Sequence, residues 1–331
     1  MRIAEMIDPK DSDSACRPAA AVRGQLSYAL TMVHSGERDV TIAYELTGAQ
    51  SAPLVIIGGG ISAGRHVISS NTFPEPGWWE AQKATLGAVR VLAIDWIGAD
   101  GAIDAPIDPA DQANALVALL DELGLARADA FIGASYGAMV GQQFAARHPD
   151  RCGRLLSFSA GASAHPFSSA CRLLQRKAVA LGERSRDPAA GVSLARALAM
   201  LTYRTADEYR ARFDGAPVVE GASVRVTAET YLDAHGARYA ARTSPIAYRR
   251  LSESIDLHCV DPAMLRLPAM FVAVDSDWLV PIEDIRAFAD AVPGSEFALM
   301  PSLYGHDGFL KEVDQVAYII TQFLSLPEPF V

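Results

Sequence analysis

Residues 128–146 read ADAFIGASYGAMVGQQFAA. Phe131 and Ile132 close a short apolar run, Gly133-Ala134-Ser135-Tyr136-Gly137 follows, and Met139, Val140, Phe144 and Ala145 then recur at helical spacing. The pattern predicts a strand, a tight turn and a helix, with a serine at the apex. Gly133 and Gly137 suit such a turn because strand and helix backbones nearly touch there, so a nucleophile at the apex needs small neighbours. The geometry would lift the Ser135 hydroxyl clear of the sheet. It would also set the Tyr136 N–H at a helix N-terminus, facing any oxyanion that develops beside it. An ordinary Gly-rich strand-to-helix loop would share these five residues, so the rest of the chain has to decide.

Upstream, alternating apolar segments at 26–33 and 40–46, split by Ser35-Gly36-Glu37-Arg38, predict a β-hairpin. Continuous apolar runs at 53–57, 89–94 and 155–158 predict buried strands, and 108–123 has helical periodicity. Repeated strand–helix units imply a mostly parallel, doubly wound sheet. From residue 165 to 256 the strand pattern stops, and helices are predicted at 172–181, 192–203, 206–213, 228–242 and 246–255. Strands resume at 269–274 and 297–300, with helices at 282–291 and 308–324. A sheet interrupted by a helical block and then completed is a core domain with an inserted cap. The expected division is a flexible segment at 1–25, a core at 26–164 and 261–331, and a helical cap at 165–260.

Half of the 331 residues are hydrophobic, enough for a large buried core. No run approaches the ~18 uninterrupted apolar residues of a membrane span. The opening residues, MRIAEMIDPKDSDSAC, carry acids early and no apolar stretch, so no secretory signal is expected. Cys16, Cys152, Cys171 and Cys259 are scattered without a CxxC pair, which suits reduced thiols in a cytoplasm and not a disulfide framework or a zinc site. The net charge of −10 weighs against nucleic acid as the main partner. Charge is uneven, however. Residues 166–250 carry 14 Lys+Arg against 8 Asp+Glu, a net of +6, which leaves −16 on the remainder. A basic island in an acidic protein suits a polyanionic small ligand, although solvated arginines on amphipathic helices would look the same.

A serine hydroxyl is a weak nucleophile until a neighbouring base takes its proton, and that base must itself be oriented. On a doubly wound sheet the expected order is Ser, acid, His, with acid and base on loops at the C-terminal ends of late strands. Of the seven histidines, only His306 lies in a loop after the last predicted strand. The acid should follow the strand at 269–274, where Asp275 and Asp277 both qualify. A second oxyanion donor is expected from the loop Gly58-Gly59-Gly60-Ile61-Ser62, where glycines let the backbone come close to a substrate carbonyl. The same stretch, GGGISA, also fits a dinucleotide-binding GxGxxA turn. No acidic residue stands about 20 positions on at the end of a second strand, and Asp95 comes far too late.

Together these features resemble the homoserine acyltransferase family of the α/β-hydrolase superfamily, from about residue 26 to the C-terminus. The marks are Gly77-Trp78-Trp79-Glu80; the GASYGAM turn; Leu194-Ala195-Arg196 leading to Leu201-Thr202-Tyr203-Arg204; Tyr231-Leu232-Asp233 with Tyr248 downstream; Ser276-Asp277-Trp278-Leu279-Val280-Pro281; and Gly305-His306-Asp307-Gly308-Phe309-Leu310. The resemblance implies an α/β-hydrolase fold with a helical cap. It implies an enzyme that carries an acyl group from acyl-CoA to the hydroxyl of L-homoserine, for methionine synthesis, by a ping-pong acyl-enzyme route on a Ser135–His306–Asp277 triad. Asp277, not Asp275, is the implied acid, Ile61 and Tyr136 the oxyanion N–H donors, and Arg196 and Asp307 the grips on the carboxylate and ammonium of the acceptor. Acyl-CoA is then a co-substrate, with no bound cofactor or metal. The resemblance also implies a homodimer through the cap helices, to which Leu198, Met200 and Leu201 would contribute, and no membrane partner.

The chain departs from the family in three places. Ala138 stands where most members have a second Gly after the turn, residues 95–101 are shorter and less Gly/Ser-rich than usual, and the N-terminus is abbreviated. These changes leave the chemistry in place and bear on the donor. Acetyl-CoA is taken ahead of succinyl-CoA; succinyl transfer to homoserine or serine, and a serine hydrolase with water as acceptor, are the alternatives. A succinyl tail would need one extra cation, for which Arg65, Arg204 and Arg249 are the candidates.

Overall fold

The apolar runs of the sequence become strands buried on both faces. A computed structural model describes residues 21–325. In it β1 (Val22–Met32) and β2 (Gly36–Thr47) form an antiparallel hairpin. It leads into β3 (Leu54–Gly58), α1 (Lys83–Leu86), β4 (Arg90–Ile94), α2 (Pro109–Glu122), β5 (Ala130–Ala134), α3 (Tyr136–Arg147) and β6 (Leu155–Phe158). The inserted cap follows: α4 (Pro166–Arg184), α5 (Pro188–Tyr203), α6 (Ala206–Phe213), a short hairpin of β7 (Val218–Glu220) and β8 (Ser223–Arg225), α7 (Glu229–Ala240) and α8 (Pro245–Leu257). The chain then returns to the sheet with β9 (Ala269–Val274), α9 (Ile282–Ala291) and β10 (Glu296–Met300), and ends in α10 (Gly308–Lys311) and α11 (Val313–Ser325).

The eight strands of the main sheet are ordered β1-β2-β4-β3-β5-β6-β9-β10 and are parallel from β4 to β10. Every residue of β3, β5, β6 and β9 is buried, which is why these segments read as unbroken apolar runs and not as alternating ones. One core lies on each face of the sheet, and the cap packs its own small core from Val179, Val192, Ala195, Tyr239 and Tyr248.

Local chemistry sets the element ends. At α2 the Asp108 carboxylate accepts the Ala110 N–H at 2.9 Å, and the Asp111 carboxylate accepts the Asp108 N–H at 2.7 Å, with Pro109 in the first helical turn. Prolines likewise open α4, α5 and α8, so α4 and α5 begin several residues before their apolar periodicity becomes visible.

Four expectations are corrected. The strand pairing of β1 begins at Val22↔Leu46, inside the segment expected to be flexible; of that segment, residues 1–20 lie outside the described residues. A hairpin, β7–β8, occurs in the cap where only helices were expected; its six residues are all exposed, so no burial pattern marks it in the sequence. The last helix is two, interrupted at Glu312 (φ −84°, ψ 66°). Met200 is buried and Leu198 packs on the cap core, so of the three apolar residues assigned to a cap surface only Leu201 is exposed.

Where α3 crosses β3 the backbones leave no room for a side chain. A Cβ on Gly137 would sit 2.2 Å from the Gly58 carbonyl carbon and oxygen, and one on Gly133 would sit 2.4 Å from the Gly137 oxygen. Gly137→Ala is therefore expected to destabilise the fold by about 1–3 kcal/mol, read as a lower urea midpoint. An unchanged midpoint would contradict so close an approach.

Candidate active site

Ser135 joins β5 to α3 in a backbone conformation that few non-glycine residues adopt, with φ 55° and ψ −120°. Two hydrogen bonds hold the turn: the Ser135 N–H donates to Phe158 O at the end of β6 (2.9 Å), and the Gly137 N–H donates to Gly59 O (2.8 Å). The Tyr136 side chain points away from the turn into the core. Its hydroxyl meets Ser254 Oγ at 2.7 Å and accepts from Gln112 at 3.3 Å, and the Trp96 ring stands edge-on at 5.1 Å. Tyr136 thus offers the site only its backbone N–H, at the start of α3. Ile61 lies in the loop after β3, where the Ala63 N–H (2.9 Å) and the Trp96 indole N–H (3.2 Å) both donate to Gly60 O.

His306 Nε2 lies 2.7 Å from Ser135 Oγ, and its Nδ1 lies 2.6 Å from Asp277 Oδ2. The second Asp277 oxygen accepts the backbone N–H groups of Leu279 (2.9 Å) and Val280 (3.2 Å), so the carboxylate is fixed on both sides. Asp275 does not take part; it is exposed and accepts the Ser302 N–H at 2.9 Å. Burial opposes protonation of His306, but the charge and hydrogen bond of Asp277 outweigh it, with Asp307 adding, and the imidazole pKa is held above its ordinary 6.5. An imidazole so placed and so polarised can take the Ser135 proton.

Ser135 and His306 open on a cavity of about 530 Å³ beneath the cap, which Arg196, Tyr203, Arg204 and Asp307 also line. Arg196 sits against the rings of Tyr239 (4.7 Å) and Tyr203 (5.4 Å) and forms no ion pair with any described residue. Arg204 pairs with Asp307 at 3.2 Å and with Glu208, and Glu208 also takes Arg212 at 3.1 Å. Burial pushes the Asp307 carboxyl up, against Arg204, His306 and Arg196, which draw it down. His235, on the same wall, is pushed down to about 4 by burial and by Arg238, Arg196, Arg204 and Arg212, so it is neutral at pH 7. Among the described residues, no three His, Cys, Asp or Glu side chains converge as metal ligands would.

Other sequence-based candidates lie elsewhere or are already engaged. Arg65 reaches Asp95 (3.7 Å) in a neighbouring cavity, Arg249 pairs with Glu183 (2.8 Å), and Arg204 is held as above. Eight of the 14 basic residues of the island are in ion pairs, so it is less free than its charge suggests. The Tyr203 ring, 6.0 Å from His306 and nearly parallel to it, and Arg172 on the cavity wall were not singled out from sequence as site residues. Tyr203 had a signal in the Leu201–Arg204 motif; Arg172 had none.

Residues 52–313 match the α/β hydrolase fold family. A homoserine O-succinyltransferase from Xanthomonas campestris pv. campestris is 49% identical over 95% of this chain and 86% of its own length. The chain belongs to the homoserine O-acyltransferase family. It is an O-acyltransferase. A homoserine O-acetyltransferase from Thermus thermophilus is 34% identical over 66% of this chain and 58% of its own length. Among solved structures, a homoserine O-acetyltransferase from Bacillus anthracis superposes with a TM-score of 0.84 at 15% identity, over 94% of this chain and 99% of that one; a likeness at that identity speaks for the fold alone.

The two aspartates make a direct test. Asp277→Asn is expected to lower acyl-transfer turnover by roughly 10⁴ through the wrong imidazole tautomer, whereas Asp275→Asn should leave most of it. Because the base must be neutral, wild-type activity should fall as pH drops through a histidine pKa above 6.5. In Asp277→Asn the acid limb of the residual activity should move to lower pH, because the main opposition to burial is then removed and only Asp307 still raises the imidazole pKa. A limb at the same pH in both proteins would mean that Asp277 does not set the titration of His306.

Proposed function

We propose that this enzyme carries a succinyl group from succinyl-CoA to the hydroxyl of L-homoserine, a step of methionine synthesis, through an acyl-enzyme on Ser135. The observation that carries the reading is the hydrogen-bonded chain Asp277–His306–Ser135 at a cavity that also holds Asp307, paired with Arg204, and Arg196, without an ion pair among the described residues. His306 takes the Ser135 proton as Oγ attacks the thioester carbonyl. The oxyanion faces the N–H groups of Tyr136 and Ile61. The tetrahedral intermediate collapses, the CoA sulfur leaves with the proton from His306, and the acyl group stays on Ser135. The homoserine hydroxyl then gives its proton to His306 and attacks the acyl carbon, and Ser135 recovers that proton as the ester departs.

Sequence reading placed acetyl-CoA first. The succinyl donor is preferred here on two grounds: the relative at 49% identity is a succinyltransferase, and the cavity is rich in guanidinium groups. Arg196 meets the acceptor carboxylate with two parallel N–H groups, and Asp307 accepts its ammonium. Arg242, exposed, 5.7 Å over the Tyr239 ring and without an ion pair among the described residues, lines both cavities and would meet the phosphates of CoA. The expected homodimer would use the exposed cap leucines Leu173, Leu174, Leu194 and Leu201. A monomer mass at micromolar concentration would contradict it.

Arg196→Ala is expected to raise the KM for homoserine at least 10-fold while the first release of CoA on mixing with succinyl-CoA alone stays close to wild type. If wild type releases CoA repeatedly without homoserine, and homoserine is never acylated, water is the acceptor and the reading fails.

A further inference from the structure

The Ile61 N–H belongs to the same planar unit as the Gly60 carbonyl, and in a trans peptide, as this one is, the two point opposite ways. Whatever holds the Gly60 oxygen therefore aims the Ile61 N–H. Two donors hold it: the Ala63 N–H at 2.9 Å, within the same turn, and the Trp96 indole N–H at 3.2 Å, from the segment after β4. The Ile61 N–H itself takes no partner among the described residues, and Gly60 and Ile61 both line the catalytic cavity.

Trp96 is itself pinned. Before it, Asp95 donates its N–H to Ala43 O (2.9 Å), and its Oδ1 accepts the Arg65 N–H (2.8 Å), which holds the far end of the loop that Gly60 begins. After it, Gln112 accepts the Ile97 N–H (2.9 Å) and donates to Ile97 O (3.1 Å). The indole is buried and stands edge-on to the Tyr136 ring at 5.1 Å. The Tyr136 hydroxyl is held in turn by Ser254 and by the same Gln112. One buried cluster thus carries both residues whose backbone N–H groups are read as oxyanion donors. A buried indole N–H needs an acceptor wherever it lies; here the acceptor is the carbonyl whose peptide partner is the Ile61 N–H.

We propose that Trp96 is a positioning residue for acyl transfer, whose indole N–H orients and polarises the Gly60–Ile61 peptide so that the Ile61 N–H meets the oxyanion. Trp96 lines the neighbouring cavity and not the catalytic one, so it acts through the peptide and not on substrate. The proposal rests on the reading that Ile61 and Tyr136 supply the oxyanion N–H groups, and is independent of which acyl group is carried. A carbonyl that accepts two hydrogen bonds makes the N–H across its peptide a stronger donor. A donor held in place before charge develops needs no reorganisation when it does.

The test removes the N–H and keeps a ring. Replacing Trp96 by benzothienylalanine, through nonsense suppression, puts sulfur where the indole has N–H and leaves the two rings otherwise alike; Trp96→Phe is the coded counterpart. Each protein is mixed with saturating acyl-CoA labelled with carbon-13 at the thioester carbonyl, first without homoserine and then with it. The readouts are the rate constants of CoA release and of transfer to homoserine, neither of which depends on the fraction of enzyme that folds, and the infrared band of the acyl carbonyl on Ser135. Oxyanion stabilisation serves both half-reactions. Both rate constants should therefore fall about 10-fold or more, short of the roughly 10²–10³ for deleting a donor outright, and the band should move to higher wavenumber. Rate constants and band equal to wild type, with only a smaller burst of CoA, would reduce Trp96 to a support of the fold and overturn the proposal, leaving Ser135, Ile61 and Tyr136 as read. A fall in rate without a shift of the band would place the effect of the indole elsewhere and overturn it too. A wild-type band no lower than that of the same ester in an aprotic solvent would mean that no N–H group meets the carbonyl, and the oxyanion reading would fall together with this inference.

Discussion

The contact on which this site depends is the approach of α3 to β3. Gly137 and Gly58 meet without room for a Cβ, and the Gly137 N–H closes on Gly59 O at 2.8 Å. That one contact fixes two things together. It holds Ser135 in a backbone conformation the residue would not choose, and it sets the loop carrying Ile61 against the first N–H groups of α3. Strain of this kind, worth about 1–3 kcal/mol, persists only where the surroundings over-determine it. Here β6 supplies the second restraint through Phe158 O, so the serine is gripped from the strands on either side of β5.

The base is held by the core and the cap jointly. Ser276 Oγ donates to Ser302 O at 2.5 Å and accepts the Gly305 N–H at 3.1 Å, which ties the loop of Asp277 to the loop of His306. From the cap side, Tyr203 lies over the imidazole, Arg204 pairs with Asp307, and Thr205 Oγ1 donates to Leu303 O at 2.6 Å. Gly305, with φ 59°, passes so close to Tyr203 O that a Cβ there would stand 3.0 Å from it. The end of α5 therefore positions the base loop as well as roofing the cavity, and cap and acid–base chain are mechanically one unit.

What was legible in the sequence followed from burial and from local turn chemistry. The unbroken apolar runs gave the central strands almost to the residue, because a parallel sheet covered on both faces admits little else. The order Ser135, Asp277, His306 was legible because topology dictates where late loops can reach, although choosing Asp277 over Asp275 took the family motif; in space Asp277 faces His306 and Asp275 faces Ser302. Illegible were features that exist only in three dimensions. Val219 and Val224 pair in a hairpin that buries nothing, so no periodicity announces it. The place of Arg172 on the cavity wall, and the neutralisation of Arg204 by Glu208 and Asp307, depend on chain segments brought together by the fold. Met200 reads as a surface residue among arginines and is buried, because helix phase and not neighbour charge decides which side faces in.

The same fold serves esterases and acyltransferases, and the difference has to lie in how the second substrate is held. Water competes at ~55 M, so an alcohol wins only when fixed in attack geometry, where effective molarities can reach 10⁵ M or more. On the proposed reading, Arg196 does such fixing. The rings of Tyr203 and Tyr239 take the guanidinium, and no carboxylate of the described residues occupies its N–H edges. A cation held by ion pairs would have spent those edges, whereas one held against rings keeps them for a ligand. Asp307 is kept available in a complementary way. Burial raises its pKa, and Arg204 at 3.2 Å opposes that shift most strongly. Glu208, in turn, shares the charge of Arg204 and of Arg212, so the positive field does not settle on Asp307 alone. The buried ion network thus sets one carboxylate next to His306 and leaves one guanidinium without an ion pair among the described residues, both lining the same cavity. That pairing matches an acceptor with an anion, a cation and a hydroxyl between it and the base, and it is what a site for water would not need.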